Sequence, residues 1–126
     1  MATIFRTIDV GNGVTATLAA PASTELRNLA ESSTSNPLVL KQGTFGRATS
    51  VQIYLAANGN IEVMRFGYDE TSTPYGVLVS EFTTELGPPT SPGKQNTTWE
   101  DAQTTFTVST DTNLHSILKD GGTGPV

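Results

Sequence analysis

The feature that most narrows what this chain can fold into is the dipeptide Asn58-Gly59, set between two alternating runs. Asn-Gly is the strongest short-range signal for a β-hairpin, because a type I′ turn needs positive φ at both central positions. With that turn, Tyr54 stands opposite Val63, Ile53 opposite Met64, Gln52 opposite Arg65 and Val51 opposite Phe66. Side chains alternate along a strand, so Val51, Ile53 and Leu55 share one face with Met64, Phe66 and Tyr68. The other face carries Ser50, Gln52, Tyr54, Val63 and Arg65. One face builds a core; the other is equipped to meet something.

The flanking segments extend the β pattern. Residues 3–10 place Ile4, Ile8 and Val10 on one side, and residues 14–20 place Val14, Ala16, Leu18 and Ala20 on one side, around a Gly11-Asn12-Gly13 turn. That is a second hairpin, ended by Pro21. Residues 23–31 fit a short helical turn capped by Ser23 or Thr24, with Leu26, Leu29 and Ala30 inward; an irregular loop fits nearly as well. Leu38-Val39-Leu40 begins a short strand, and Gly43-Thr44-Phe45-Gly46 bends the chain before the 50–68 hairpin. Residues 75–86 alternate as a strand would. Residues 87–98 hold Pro88, Pro89 and Pro92, which remove backbone donors, so this stretch is expected to be loop. A last strand is expected at 104–108. Asp111 or Thr112 then caps a C-terminal helix lined by Leu114, Ile117 and Leu118, with Lys119 near its end and Gly121-Gly122 to stop it. The sum is mainly β with minor α: a single domain over 1–126, with one antiparallel sheet of six to seven strands, an N-terminal hairpin, a C-terminal helix and no helix between strands.

Composition removes several functional classes. A chain of 126 residues buries a core without staples, and it has no Cys for disulfides or thiolate zinc sites. One His cannot build a multi-His metal centre, and no nucleophile, base and orienting group assemble around it. The acidic pairs Asp69-Glu70 and Glu100-Asp101 fall in expected loops, where solvated carboxylates are ordinary. No catalytic residue, cofactor, metal or small-molecule substrate is therefore expected; the chain reads as a non-enzyme. A formal charge of −5 argues against broad phosphate binding but leaves room for a local basic patch. No apolar run is long enough for a membrane span, and the opening Met-Ala-Thr-Ile-Phe reads as a cytoplasmic start. Trp99, the lone Trp, suits a core or an interface equally.

The candidate interaction surface is therefore the polar hairpin face. Tyr54 is placed to stack a base and Arg65 to take a phosphate or base edge, with Gln52 beside them and Lys41 and Arg47 extending the patch. The opening run from Thr3 to Ala22 and the Thr-Phe-Thr-Val-Ser-Thr-Asp run at 105–111, with the strand order between them, resemble coat proteins of single-stranded RNA bacteriophages. That resemblance implies an obligate homodimer whose sheets join, with helices reaching across the partner. The dimers would build an icosahedral shell assembled in the host cytoplasm. It further implies an inner sheet face that contacts single-stranded RNA and can bind a hairpin as translational repressor, here Lys41, Arg47, Gln52, Tyr54 and Arg65. The 87–98 loop, with Pro88, Pro89, Pro92 and Lys94, would gather between subunits.

The competing expectation is a β-sandwich binding module, a phage tail, decoration or adhesion domain recognising carbohydrate or protein. Edge strands separate the two ideas. A stand-alone module shields its edges, whereas a coat subunit presents one for pairing.

Overall fold

The computed structural model describes residues 3–41 and 45–121. The expected bend at 43–46 falls partly outside these residues, and the expected coil tail 123–126 wholly outside them. Eight strands and two helices follow one another as β1 (Thr7–Gly11), β2 (Val14–Thr17), α1 (Thr24–Asn28), β3 (Leu38–Val39), β4 (Ser50–Leu55), β5 (Ile61–Gly67), α2 (Tyr75–Leu86), β6 (Asn96–Glu100), β7 (Thr104–Ser109) and β8 (His115–Asp120). β1 and β2 form a separate hairpin, and the other six strands form one sheet in the order β3-β4-β5-β8-β7-β6. Every pairing in it is antiparallel.

The central hairpin has the expected register: Val51 pairs with Phe66, Gln52 with Arg65, Ile53 with Met64 and Tyr54 with Val63. Its turn differs. Gly59 has φ 86°, whereas Asn58 is not among the residues with positive φ, so the turn is not type I′. Gly59 N–H donates to Ala56 O and Ala56 N–H to Asn60 O, and the register slips so that Leu55 faces Ile61. Here Gly59 supplies the left-handed residue of a bulge. The N-terminal hairpin also forms, and Ser23 caps α1 by accepting from Leu26 N–H at 3.1 Å.

Two expectations are exchanged. Residues 75–86 are a helix, and the segment expected as C-terminal helix is strand β8, at the centre of the sheet between β5 and β7. In α2, β-branched Val77, Val79, Thr83 and Thr84 favour a strand, but Leu78, Phe82 and Leu86 repeat at helical spacing and are all buried. Thr83 Oγ1 donates to Val79 O and Thr84 Oγ1 to Ser80 O, which satisfies two hydroxyls within the helix. In β8 the alternation is masked because Ser116, not an apolar residue, points inward between Leu114 and Leu118. Its hydroxyl meets Tyr68 OH at 2.8 Å. The buried phenol has its pKa pushed up to about 12, by burial first and nearby Glu81 second, against the Ser116 hydrogen bond. Asn96, Thr97 and Thr98, expected as loop, belong to β6.

The core lies on one side of the sheet. All five Phe and the Trp form one connected aromatic cluster, with Phe82 of α2 edge-on to Phe106 at 4.6 Å and Phe45 against Phe66 at 4.4 Å. Trp99 is thus a core residue, fully buried, with Nε1–H donating to Gly87 O at 2.9 Å. The β1–β2 hairpin adds Ile4, Ile8, Val10, Ala16 and Leu18 to the same core, and α1 adds Leu26. Arg6 fastens this hairpin to Asp120 at the end of β8 and to Thr104 and Gln103. Asp101 holds the N-terminal segment by accepting from Ile4 N–H at 3.0 Å, and also accepts from Gln103 and Thr104 N–H.

Candidate functional site

The registers of β4, β5, β8, β7 and β6 arrange the uncovered face of the sheet in rows. The middle row runs Gln52, Arg65, Ile117, Thr107, Thr98. On one side of it lies Tyr54, Val63, Lys119, Thr105, Glu100, and on the other Ser50, Gly67, His115, Ser109, Asn96, of which His115 and Ser109 are buried. The Gln52–Tyr54–Arg65 grouping read from sequence is therefore brought together. Tyr54 OH donates to Gln52 Oε1 at 3.4 Å, and all three side chains are half-buried.

Two depressions meet at Arg65. One is shallow, about 420 Å³, and is lined by Pro37, Tyr54, Leu55, Val63 and Ile117, with Asn36 and Glu62 at its margin. The other, about 270 Å³, is polar and lies over Gly67, between Ser50, Gln52, Arg65 and His115, with Thr49, Tyr68, Asn113 and Leu114 completing the wall. Gly67 forms the floor: a Cβ there would run into Ser50 Oγ. His115 Nδ1 lies 2.7 Å from Asn113 O, which fixes that nitrogen as the donor and leaves Nε2 as the other ring nitrogen. Among the described residues, no acid pairs with Arg65.

The other expected cations are placed differently. Arg47 makes a bidentate pair with Glu81 of α2, at 2.8 and 2.9 Å, on the side of the sheet that carries the helix. The Glu81 hydrogen bond raises the guanidinium pKa, and the same bond holds the Glu81 carboxyl below its usual value. Arg47 thus stands apart from the Arg65 face. Lys41 follows Leu40, whose N–H bonds Val51 O, and stands exposed at the β3 margin. The sequence placed Ser50 on the Arg65 face but did not single out Gly67 or Ile117, and it put His115 on a helix where the structure has strand β8. The hairpin register alone contained Ser50 opposite Gly67, but reaching His115 required knowing that β8 lies beside β5.

Both edges of the sheet are closed by the chain itself. Beside β3, Glu31 N–H donates to Val39 O and Lys41 N–H to Leu29 O, while Asn36 uses its side-chain amide to bond both the N–H and the C=O of Leu55. Beside β6, Ser91 exchanges two backbone hydrogen bonds with Thr98, each 2.9 Å. Thr90 Oγ1 accepts from Glu100 N–H, and Tyr75 OH donates to Gly93 O at 2.8 Å. Pro88, Pro89 and Pro92 thus sit in a strap on that edge, and Lys94 follows exposed. The strap thus has a folding role, covering the β6 edge.

No group of three or more metal-ligating side chains converges among the described residues, and none of their helices is long and apolar enough to cross a membrane. No protein-family model, curated protein or solved structure matches the chain.

Proposed function

We propose that this chain is a non-catalytic recognition module that receives its ligand on the open face of the six-stranded sheet. The observation that carries this reading is the asymmetry of the sheet. One face is packed by a hairpin and two helices, both edges are closed within the chain, and the second face stays open with Tyr54 and Arg65 at its centre, Arg65 having no acidic partner among the described residues. Closed edges favour a stand-alone module over strand-to-strand pairing. The polarity of the open face points the same way, since obligate interfaces are more apolar. Val77, on α2, is the exposed large hydrophobic among the described residues.

Gln52 and Arg65 stand beside Tyr54, and Thr105, Thr107 and Thr98 carry hydroxyls further across the same face on β7 and β6, a chemistry suited to carbohydrate. A glycan-array screen comparing the wild-type chain with Tyr54→Ala tests this. Binding by the wild type that is lost in the variant supports the module; absent binding, or binding indifferent to Tyr54, contradicts it.

The second reading is the phage coat protein. What favours it is the convergence of Gln52, Tyr54 and Arg65 on one face, as RNA contact would require. The interlocking C-terminal helix is replaced by β8, so self-association would have to be face to face.

A further inference from the structure

The polar depression over Gly67 has the make-up of an anion site. We propose that it binds the carboxylate of an acidic sugar within an oligosaccharide whose neighbouring ring lies on Tyr54. This rests on the recognition reading and adds to it the ligand's charge and the place where that charge sits.

The floor is bare backbone. Ser50, Gly67 and His115 occupy one row of adjacent strands, and because Gly67 has no side chain the Ser50 hydroxyl turns into the space over it. Arg65, two residues along β5, projects from the same face and supplies the positive charge, without an acid to neutralise it among the described residues. A guanidinium presents paired donors that match a carboxylate. Ser50 Oγ adds a donor. His115 is not one of these donors: its Nδ1–H is committed to Asn113 O, so Nε2 is the accepting nitrogen and suits a hydroxyl of the ligand. Gln52 accepts from Tyr54 with its amide oxygen, which leaves its NH₂ for the ligand.

The spacing fixes the size of the ligand. Tyr54 lies four residues from Ser50 on β4, about 14 Å along the strand. A single sugar ring does not span that, but two or three joined rings do. Charge selects a single carboxylate over a polyanion. The chain carries −5, and Glu62 borders the shallow depression while Glu100 stands in the Tyr54 row. A nucleic-acid backbone crossing this face would bring several phosphates past those acids.

The test titrates isotope-labelled protein with 3′-sialyllactose, a glucuronic-acid-containing disaccharide, neutral lactose and inorganic phosphate, following amide resonances. Three variants accompany the wild type: Arg65→Gln, Gly67→Ala and Tyr54→Ala. Gly67→Ala is the informative one, because its Cβ meets only the rotatable end of Ser50 and the fold has room to keep. The proposal expects at least one acidic sugar to bind with shifts at Ser50, Gly67 and His115, roughly tenfold or more tighter than lactose. Which acid binds separates sialic from uronic sources. Arg65→Gln and Gly67→Ala should each lose that preference while retaining dispersed spectra, and Tyr54→Ala should weaken acidic and neutral sugars alike.

Sugar binding that ignores Arg65→Gln and Gly67→Ala overturns the acid pocket and leaves the recognition reading standing. Phosphate binding as tightly as the acidic sugars overturns the sugar assignment. A face that responds to no sugar but to a single-stranded RNA oligonucleotide overturns both and favours the coat reading.

Discussion

Gly93 and Asp101 show how single residues hold the edge and the end of this sheet. A Cβ on Gly93 would sit well inside van der Waals distance of Asn96 O, a backbone atom that cannot swing aside. Gly93→Ala is therefore expected to cost about 1–3 kcal/mol, read as a lowered denaturation midpoint with an unchanged slope. Burial opposes ionisation of Asp101, but the N–H groups of Gln103, Ile4 and Thr104, aided by Arg6, outweigh it and hold the carboxyl below its ordinary value of 3.8. A depressed folded-state pKa adds stability that is complete above the unfolded value and disappears as pH falls through the folded one. Acid titration below about pH 4 should therefore weaken the wild type. Asp101→Asn should be less stable at neutral pH and show a shallower loss over that acid range; equal acid slopes would contradict this. None of these roles was legible in advance. Asp101 read as an ordinary loop acid because its partner, Ile4, lies at the other end of the chain.

Among the elements, both hairpins, α1, β3 and β7 were legible, whereas α2, β6 and β8 were not. Local rules set the β4–β5 register, so Val51 to Tyr54 and their partners could be paired from sequence alone. In α2 and β8 the local signal and the tertiary environment disagree. Val77, Val79 and Thr83 suit a strand, yet the aromatic cluster needs Phe82 and Leu86 from one helical stripe. Ser116 interrupts the alternation of β8 because Tyr68, on a distant strand end, needs a buried partner. Ser116→Ala should cost about 1–3 kcal/mol by leaving the phenol unsatisfied, and Tyr68→Phe in the same background should recover part of it. The double-mutant cycle measures that coupling; additive effects would contradict it. Tyr68 has a raised pKa, so its contribution is intact below the unfolded value of 10 and is lost as pH rises towards 12. Wild-type stability should accordingly fall over that alkaline window and that of Tyr68→Phe should fall less, as followed by denaturation at increasing pH. The strap at Ser91 belongs to the same scale. Replacing 88–93 with a flexible linker uncovers the β6 edge and should produce concentration-dependent association by light scattering.

For the whole molecule, the governing fact is a sheet with one packed face, closed edges and one open face. The sequence established the two-faced hairpin and the predominance of β structure. It placed Gln52, Tyr54 and Arg65 together correctly, but added Arg47, which the fold spends on Glu81 across the sheet. It also missed that His115 continues the row of Ser50 and Gly67, because that depends on β8 returning beside β5 after an excursion through α2, β6 and β7. Contacts of such sequence separation leave no local trace.

The most direct measurement is size-exclusion chromatography with light scattering and ultraviolet ratio on the chain expressed alone, with imaging of the leading peak. A module with closed edges should elute as a monomer near 13.3 kDa with the absorbance of protein. Megadalton particles absorbing like nucleic acid would contradict that account and establish a shell built through the open face.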